Sequence, residues 1–237
     1  MNNPILLQIS LAQDTLQAAA GTADNPIEKM LSLWELSKTG GIVMIVIAIL
    51  SVIALYIFIE RFLTIKKAAR EDLNFMNNIR DFIHDGKIDA ALSLCKGKDS
   101  PIARMIEKGV TRIGKPLRDI GTAIETVGKL ELYKLESNLA ALATIAGAAP
   151  MLGFLGTVIG MIKAFHAMYI SGNNIEISQL ADGIMQAMVT TVAGLIVGII
   201  AYVGYNMLVA RVENVVYKME ARTTEFLDLL EEPVKQS

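Results

Sequence analysis

Apolar residues crowd into three stretches, 39–59, 137–162 and 183–210, that contain no Asp, Glu, Lys, Arg or His. Each exceeds the roughly 20 residues a helix needs to cross a bilayer core, so the chain is expected to span a membrane three times. Elsewhere the pattern thins to helical spacing. Leu73, Met76, Ile79, Phe82 and Ile83 mark one short amphipathic helix, and Ile88, Ala91, Leu92 and Cys95 a second. A third opens at Ser100-Pro101 and carries Ile102, Met105, Ile106, Val110 and Ile113. Asp85-Gly86 and residues 97–100 supply the turns. No strand-like alternation occurs.

Two of the spans extend beyond their apolar runs. From Pro116 to Lys163 no loop signature intervenes, and Leu117, Ile120, Ile124, Val127, Leu130 and Leu135 lead straight into the second span. An unbroken helix of that length would measure about 70 Å at ~1.5 Å per residue. Past Ala210, the face of Val212, Val215, Val216, Met219, Phe226, Leu229 and Leu230 carries the third span on to Pro233. Ahead of the first span, Asn25-Pro26 opens an amphipathic segment with Trp34 at the lip of the bilayer. The expected fold is all-α: three transmembrane helices, long cytoplasmic extensions of the second and third, and a small cytoplasmic helical bundle. The divisions are an external tail and interfacial helix (1–38), span one (39–62), a cytoplasmic helical domain (63–136) and span two (137–164). A short external loop (165–182), span three (183–210) and a cytoplasmic helical tail (211–237) complete the chain.

Charge placement supplies the orientation. Nineteen Lys and Arg fall in the 60–136 connection and after span three, against three on the other side. Arg61, Lys66, Lys67 and Arg70, directly after span one, count most, because basic residues at span ends stay inside. They form an orientation cluster facing lipid, with some attraction for anionic headgroups. The N-terminus is therefore expected outside, and the large connection and C-terminus inside. Residues 1–20 lack the basic start of a signal peptide. Of 237 residues, 53% are hydrophobic, which with three spans marks an integral membrane protein. Cys95 stands alone, and the only histidines are His84 and His166, so no metal-ligand spacing exists. Phosphate loops and nucleophile elbows are missing as well. An enzyme, a cofactor, a metal and nucleic-acid binding are all unsupported.

Chemistry must then come from small polar side chains inside the spans: Thr157, Gln186, Thr190 and Thr191. At about 100° per residue, Thr157 shares a face with Ala143, Ala146, Pro150, Gly153 and Gly160. Thr191 shares one with Ala187, Gly194 and Gly198, and further along with Tyr202 and Tyr205. Gly156/Gly160 and Gly194/Gly198 are also GxxxG pairs, so the spacing leaves two uses open, ordinary helix packing or a pore lining. Gln186 points about 140° away from Thr191 and reads more readily as interhelical glue. Lys163 and Asp182 sit at span ends as solvated anchors, and His166 falls in the expected external loop. A transporter ordinarily keeps an ionisable group at mid-membrane. Lacking one, this chain would need a partner to bring it.

The stretch Ala148-Ala-Pro-Met-Leu-Gly-Phe-Leu-Gly-Thr-Val-Ile-Gly-Met161 resembles the MotA/TolQ/ExbB proton channel family, with the ExbB branch nearest. Gly183-Ile-Met-Gln-Ala-Met-Val-Thr-Thr-Val-Ala-Gly-Leu195, Tyr205-Asn206 and the Ser-Pro-x-x-Arg stretch at Ser100 carry the same likeness, over about residues 30–225. The resemblance implies a stator or channel subunit in the inner membrane of a Gram-negative bacterium, N-terminus periplasmic and C-terminus cytoplasmic. It implies a homo-oligomer, a pentamer, around a single-span ExbD-like partner whose aspartate faces Thr157 and Thr191. A TonB-like protein would carry the work of the proton motive force to the outer membrane. A TolQ-like role and a non-conducting scaffold are the alternatives. Where many relatives have a glutamate in span three, this chain has Gln186, which cannot titrate.

Overall fold

The computed structural model describes residues 40–70, 73–171 and 177–231. The amphipathic segment before span one lies outside the described residues. Seven helices and no strand occur among those described: α1 (Gly41–Ala68), α2 (Leu73–His84), α3 (Ile88–Lys96), α4 (Pro101–Val110), α5 (Leu117–Glu136), α6 (Leu139–Ser171) and α7 (Ile177–Glu231). Three helical stretches, Gly41–Ala68, Leu117–Ser171 and Leu180–Glu231, are long and apolar enough to cross a membrane.

Two boundaries differ from the sequence reading. The expected single helix through 116–163 is two helices, α5 and α6. Ser137 turns extended at ψ 137°, and Asn138 takes φ +63°, a left-handed conformation that Asn tolerates better than other side-bearing residues. The helical spacing of apolar residues runs through the break, so periodicity alone could not reveal it. At the other end α6 continues to Ser171, and α7 already begins at Ile177. His166 therefore stands exposed on a helix, not in a loop.

The described residues form two compact units, one of residues up to Val46 with Leu152–Ala193, the other of Ile47–Met151 with residues from Gly194 on. In the second unit, Ile65, Ile79, Ala91, Ala103, Ile106, Ile124, Leu142, Leu208, Val215 and Phe226 build a core to which all seven helices contribute. The Phe226 ring seats over Gly109, where a Cβ would come within 2.5 Å of it. Cys95 is buried in this core, and desolvation, with Glu107 adding its charge, pushes its thiol up to about 12. It is packing material, not a nucleophile. Ser100 caps α4 by accepting the Ala103 N–H, with Pro101 in the first turn.

Polar groups close a ring around the same core. From α1, Arg61 is buried and donates to the Lys134 carbonyl at 2.9 Å. Lys134 pairs with Glu131 at 2.7 Å, and Glu131 with Arg104 of α4 at 2.6 Å. Arg104 reaches Asp99, and Asp99 pairs with Lys67, back on α1. Arg61 is thus no lipid-facing residue, whereas Lys66, Lys67 and Arg70 remain exposed. The Asp99 links are open to solvent and contribute little. Glu131 is the centre of the ring: its side chain is only 4% exposed. Burial pushes its carboxyl up, but the hydrogen bonds and charges of Arg104 and Lys134 outweigh that and hold it below the ordinary value.

In the first unit, α6 and α7 meet with almost no side chain between them. A Cβ on Gly160 would stand 2.7 Å from the Gly183 carbonyl oxygen, and one on Gly183 2.9 Å from that of Gly160. In the second unit the two helices touch again, where a Cβ on Gly198 would meet Pro150 Cγ at 2.5 Å.

Glu131→Ala is expected to destabilise the protein by about 2–3 kcal/mol, because it leaves Arg104 part-buried without its carboxylate. The wild-type contribution of Glu131 should be fully present above the unfolded-state value of 4.5 and be lost as pH falls through the lowered native value. Thermal unfolding in detergent across pH checks both. Gly160→Ala should cost about 1–3 kcal/mol through overpacking. Gly147→Ala, where nothing lies within 4 Å, should be neutral or slightly stabilising in the same assay.

Candidate functional site

The α6–α7 contact divides the polar side chains of the spans. The facing strip on α6 is Gly153, Gly156, Gly160 and Ala164, all buried; on α7 it includes Gly183, Ala187 and Thr190, also buried. At about 100° per residue, Thr157 lies about 60° to one side of the α6 strip and Lys163 about 60° to the other. On α7 the same arithmetic separates Thr191 from Gln186. Because the helices are antiparallel, Thr157 and Thr191 emerge on one side of the pair, and Lys163 and Gln186 on the opposite side. The contacts agree with that division. Thr191 Oγ1 donates across to the Gly153 carbonyl at 3.0 Å, and Lys163 Nζ donates across to Gln186 Oε1 at 3.1 Å.

Of the small residues expected beside the threonines, Gly153, Gly160, Ala187, Gly194 and Gly198 are buried, and Ala143, Ala146 and Pro150 are half-buried. Within one chain Gly160, Ala187 and Gly198 are helix contacts, the packing use that the spacing left open. Thr157 and Thr191 are half-buried at the edge of that contact. Further along α7, Tyr202 is exposed and Tyr205 half-buried.

Thr190 has a different role from its neighbour. It is fully buried, donates to the Gln186 and Ala187 carbonyls at 3.0 Å, and sits where a Cβ on Gly156 would be. The sequence shows the gap, Gly156, but not which α7 residue fills it.

The hydrogen bonds fix what the threonine side can do. Thr157 Oγ1 donates to the Phe154 carbonyl at 2.5 Å, and Thr191 Oγ1 to the Gly153 carbonyl. A carbonyl can only accept, so both hydroxyl protons are committed and the oxygens present lone pairs. In this arrangement the site suits a hydrogen-bond donor, such as a protonated carboxyl group. To hold a carboxylate instead, each hydroxyl must turn and give up a bond worth about 1 kcal/mol. No group of His, Cys, Asp and Glu able to hold a metal occurs among the described residues.

The model of the MotA/TolQ/ExbB proton channel family matches residues 97–221, more than half of the chain. A biopolymer transport protein ExbB homolog of Methanothermobacter thermautotrophicus is 28% identical over 188 residues, which cover 78% of this chain and 66% of that protein. The biopolymer transport protein exbB1 of Vibrio cholerae is 34% identical over 97 residues, 41% of this chain and 42% of its own length. The Tol-Pal system protein TolQ of Pseudomonas aeruginosa is 29% identical over 121 residues, 51% of this chain and 52% of that one. The three apolar helices, the glycine-lined contact between α6 and α7, and the match across 97–221 lead to one assignment: this membrane protein belongs to the MotA/TolQ/ExbB proton channel family.

Proposed function

We propose that the chain is the stator subunit of an inner-membrane machine driven by the proton motive force, of the ExbB type. Copies of it, five in the arrangement the family resemblance implies, surround an ExbD-like single-span partner, and a TonB-like protein passes the work to the outer membrane. The chain enters from the periplasm, and α2 to α5 with the far end of α7 lie in the cytoplasm. The nineteen-to-three distribution of Lys and Arg supports this orientation.

One observation carries the reading. Two hydroxyls, Thr157 and Thr191, share one side of a helix pair whose apolar runs hold no Asp, Glu, Lys, Arg or His. Such a wall cannot itself release and rebind protons, but it can favour one protonation state of an acid brought against it. The partner's aspartate supplies that acid. Protonated, it donates to the threonine oxygens and can cross apolar wall; ionised, it is held back by a desolvation cost of several kcal/mol. The membrane potential contributes about 2.3 kcal/mol per charge per 100 mV, enough to bias such a step.

A TolQ-like role uses the same chemistry with a different partner, and the likeness to the Pseudomonas aeruginosa TolQ over half the chain favours keeping it as the second reading. Copurification with the products of neighbouring genes separates the two.

Thr157→Val combined with Thr191→Val keeps shape and removes both hydroxyls. The double variant should assemble with its partner and lose partner-dependent proton flux in liposomes by tenfold or more. Normal flux from an intact complex would overturn the role given to the threonines.

A further inference from the structure

Gln186 occupies the place where the family resemblance leads one to expect a glutamate, and the structure gives it a definite set of neighbours. α1 opens at Gly41, whose φ of +62° is ordinary only for glycine. The point where a Gly41 Cβ would stand is 2.6 Å from Gln186 Nε2 and 4.0 Å from Lys163 Nζ. Lys163 Nζ itself donates to Gln186 Oε1 at 3.1 Å. Three helices thus converge on one glutamine, all within one compact unit. The convergence lies on the side of the α6–α7 contact opposite Thr157 and Thr191, and the Gly160–Gly183 backbone contact stands between the two sides.

We propose that Gln186 is a positioning residue outside the ion path: with Lys163 it ties the start of α1 onto the α6–α7 pair, at a point where the left-handed backbone favours glycine. This inference rests on the reading that the threonine side faces the path. It deepens that reading, because the path then contains no Asp, Glu, Lys, Arg or His of this chain, and the partner's acid sets the pH dependence of conduction. An amide suits a tie better than a carboxyl would, since its two ends can accept from Lys163 and donate towards α1 without changing charge. Among the described residues, the other titratable groups at this end are His166 and Tyr169 on α6 and Asp182 on α7; α1 carries no Asp, Glu, Lys, Arg or His from Gly41 to Ile59.

The test uses the full complex of this chain with its single-span partner, reconstituted in liposomes, with proton flux measured from about pH 5 to pH 8. Gln186→Glu keeps the Lys163 half of the tie, as an ion pair away from the path. Its pH profile should superimpose on that of the wild type, a result that a merely tolerated substitution in the path would not give. Gln186→Lys sets two ammonium groups face to face and should lower the unfolding temperature of the complex. Adding Lys163→Glu should restore it. Gln186→Leu should lower the unfolding temperature while flux per intact complex stays within about twofold.

A second titration in the Gln186→Glu profile would overturn the inference. So would a tenfold loss of flux in an intact Gln186→Leu complex, or failure of Lys163→Glu to rescue Gln186→Lys. If Gln186→Leu does not assemble, the Gln186→Glu profile and the charge-swap rescue decide. A wild-type complex that conducts no protons would instead sink the proposed function, and the rescue experiment would still judge the tie by itself.

Discussion

Backbone against backbone at Gly160 and Gly183 is the contact from which the arrangement of α6 and α7 follows. With a Cβ at either position placed under 3 Å from the opposing carbonyl oxygen, even one methyl group would force the helices apart. Lipid tails are as apolar as leucine, so helices in a bilayer gain little from hiding apolar surface and depend on close packing instead. That packing fixes rotation as well as distance. Once Gly160 faces Gly183, Thr157 and Thr191 must emerge together on one side, and Lys163 and Gln186 on the other. Thr191 reinforces the choice with its bond to the Gly153 carbonyl, a bond that a rotated α7 could not make.

Beyond the apolar runs the forces are of a different kind. Core burial by Phe226, Ile106 and Ile124 is joined by a ring of charges that returns to α1 at both Arg61 and Lys67. A single exposed ion pair is worth almost nothing. Here two of the pairs share Glu131, which is buried and would be costly to leave without Arg104 and Lys134. The ring ties α1 to α4 and α5 just before the chain breaks at Ser137-Asn138 and begins α6. Lys218 adds to this by donating to the Ala69 carbonyl at the end of α1, where a cation meets the negative end of the helix dipole.

Much of this was legible in the residues, and the limits have physical causes. The apolar runs announced three spans because bilayer thickness sets a length that composition must meet. Ser100-Pro101 announced α4 because capping is local chemistry. The break at Asn138 was hidden because a single left-handed residue leaves the apolar period intact, so a periodicity argument runs straight through it. Arg61 was misplaced for a related reason. A basic residue at a span end reads as a lipid-facing anchor unless the carbonyl it reaches, Lys134 O, is known, and that carbonyl lies far along the chain. At the candidate site, the wheel placed Thr157 and Thr191 on small faces, but it could not separate packing from lining. The described structure assigns Gly160, Ala187 and Gly198 to packing. It leaves the two hydroxyls at the edge of the contact.

The division into two sides also bears on why a stator wall would carry hydroxyls and no acid of its own. A carboxylate fixed in the wall would attract any cation and would hold a partner's proton-carrying acid in its neutral form by charge repulsion. A threonine does neither. Its oxygen accepts from a protonated acid while its proton is parked on a carbonyl, and turning the hydroxyl to serve a carboxylate costs about as much as one hydrogen bond. The two states of the wall therefore differ by an energy that a proton arriving down its gradient can easily supply. In the proposed machine, placing Gln186 and Lys163 behind the helix contact would keep the one ammonium at this end of α6 from tilting that balance. In the proposed machine the acid on the partner is then the only group whose charge changes, and all the work derived from the gradient acts on the element that has to move.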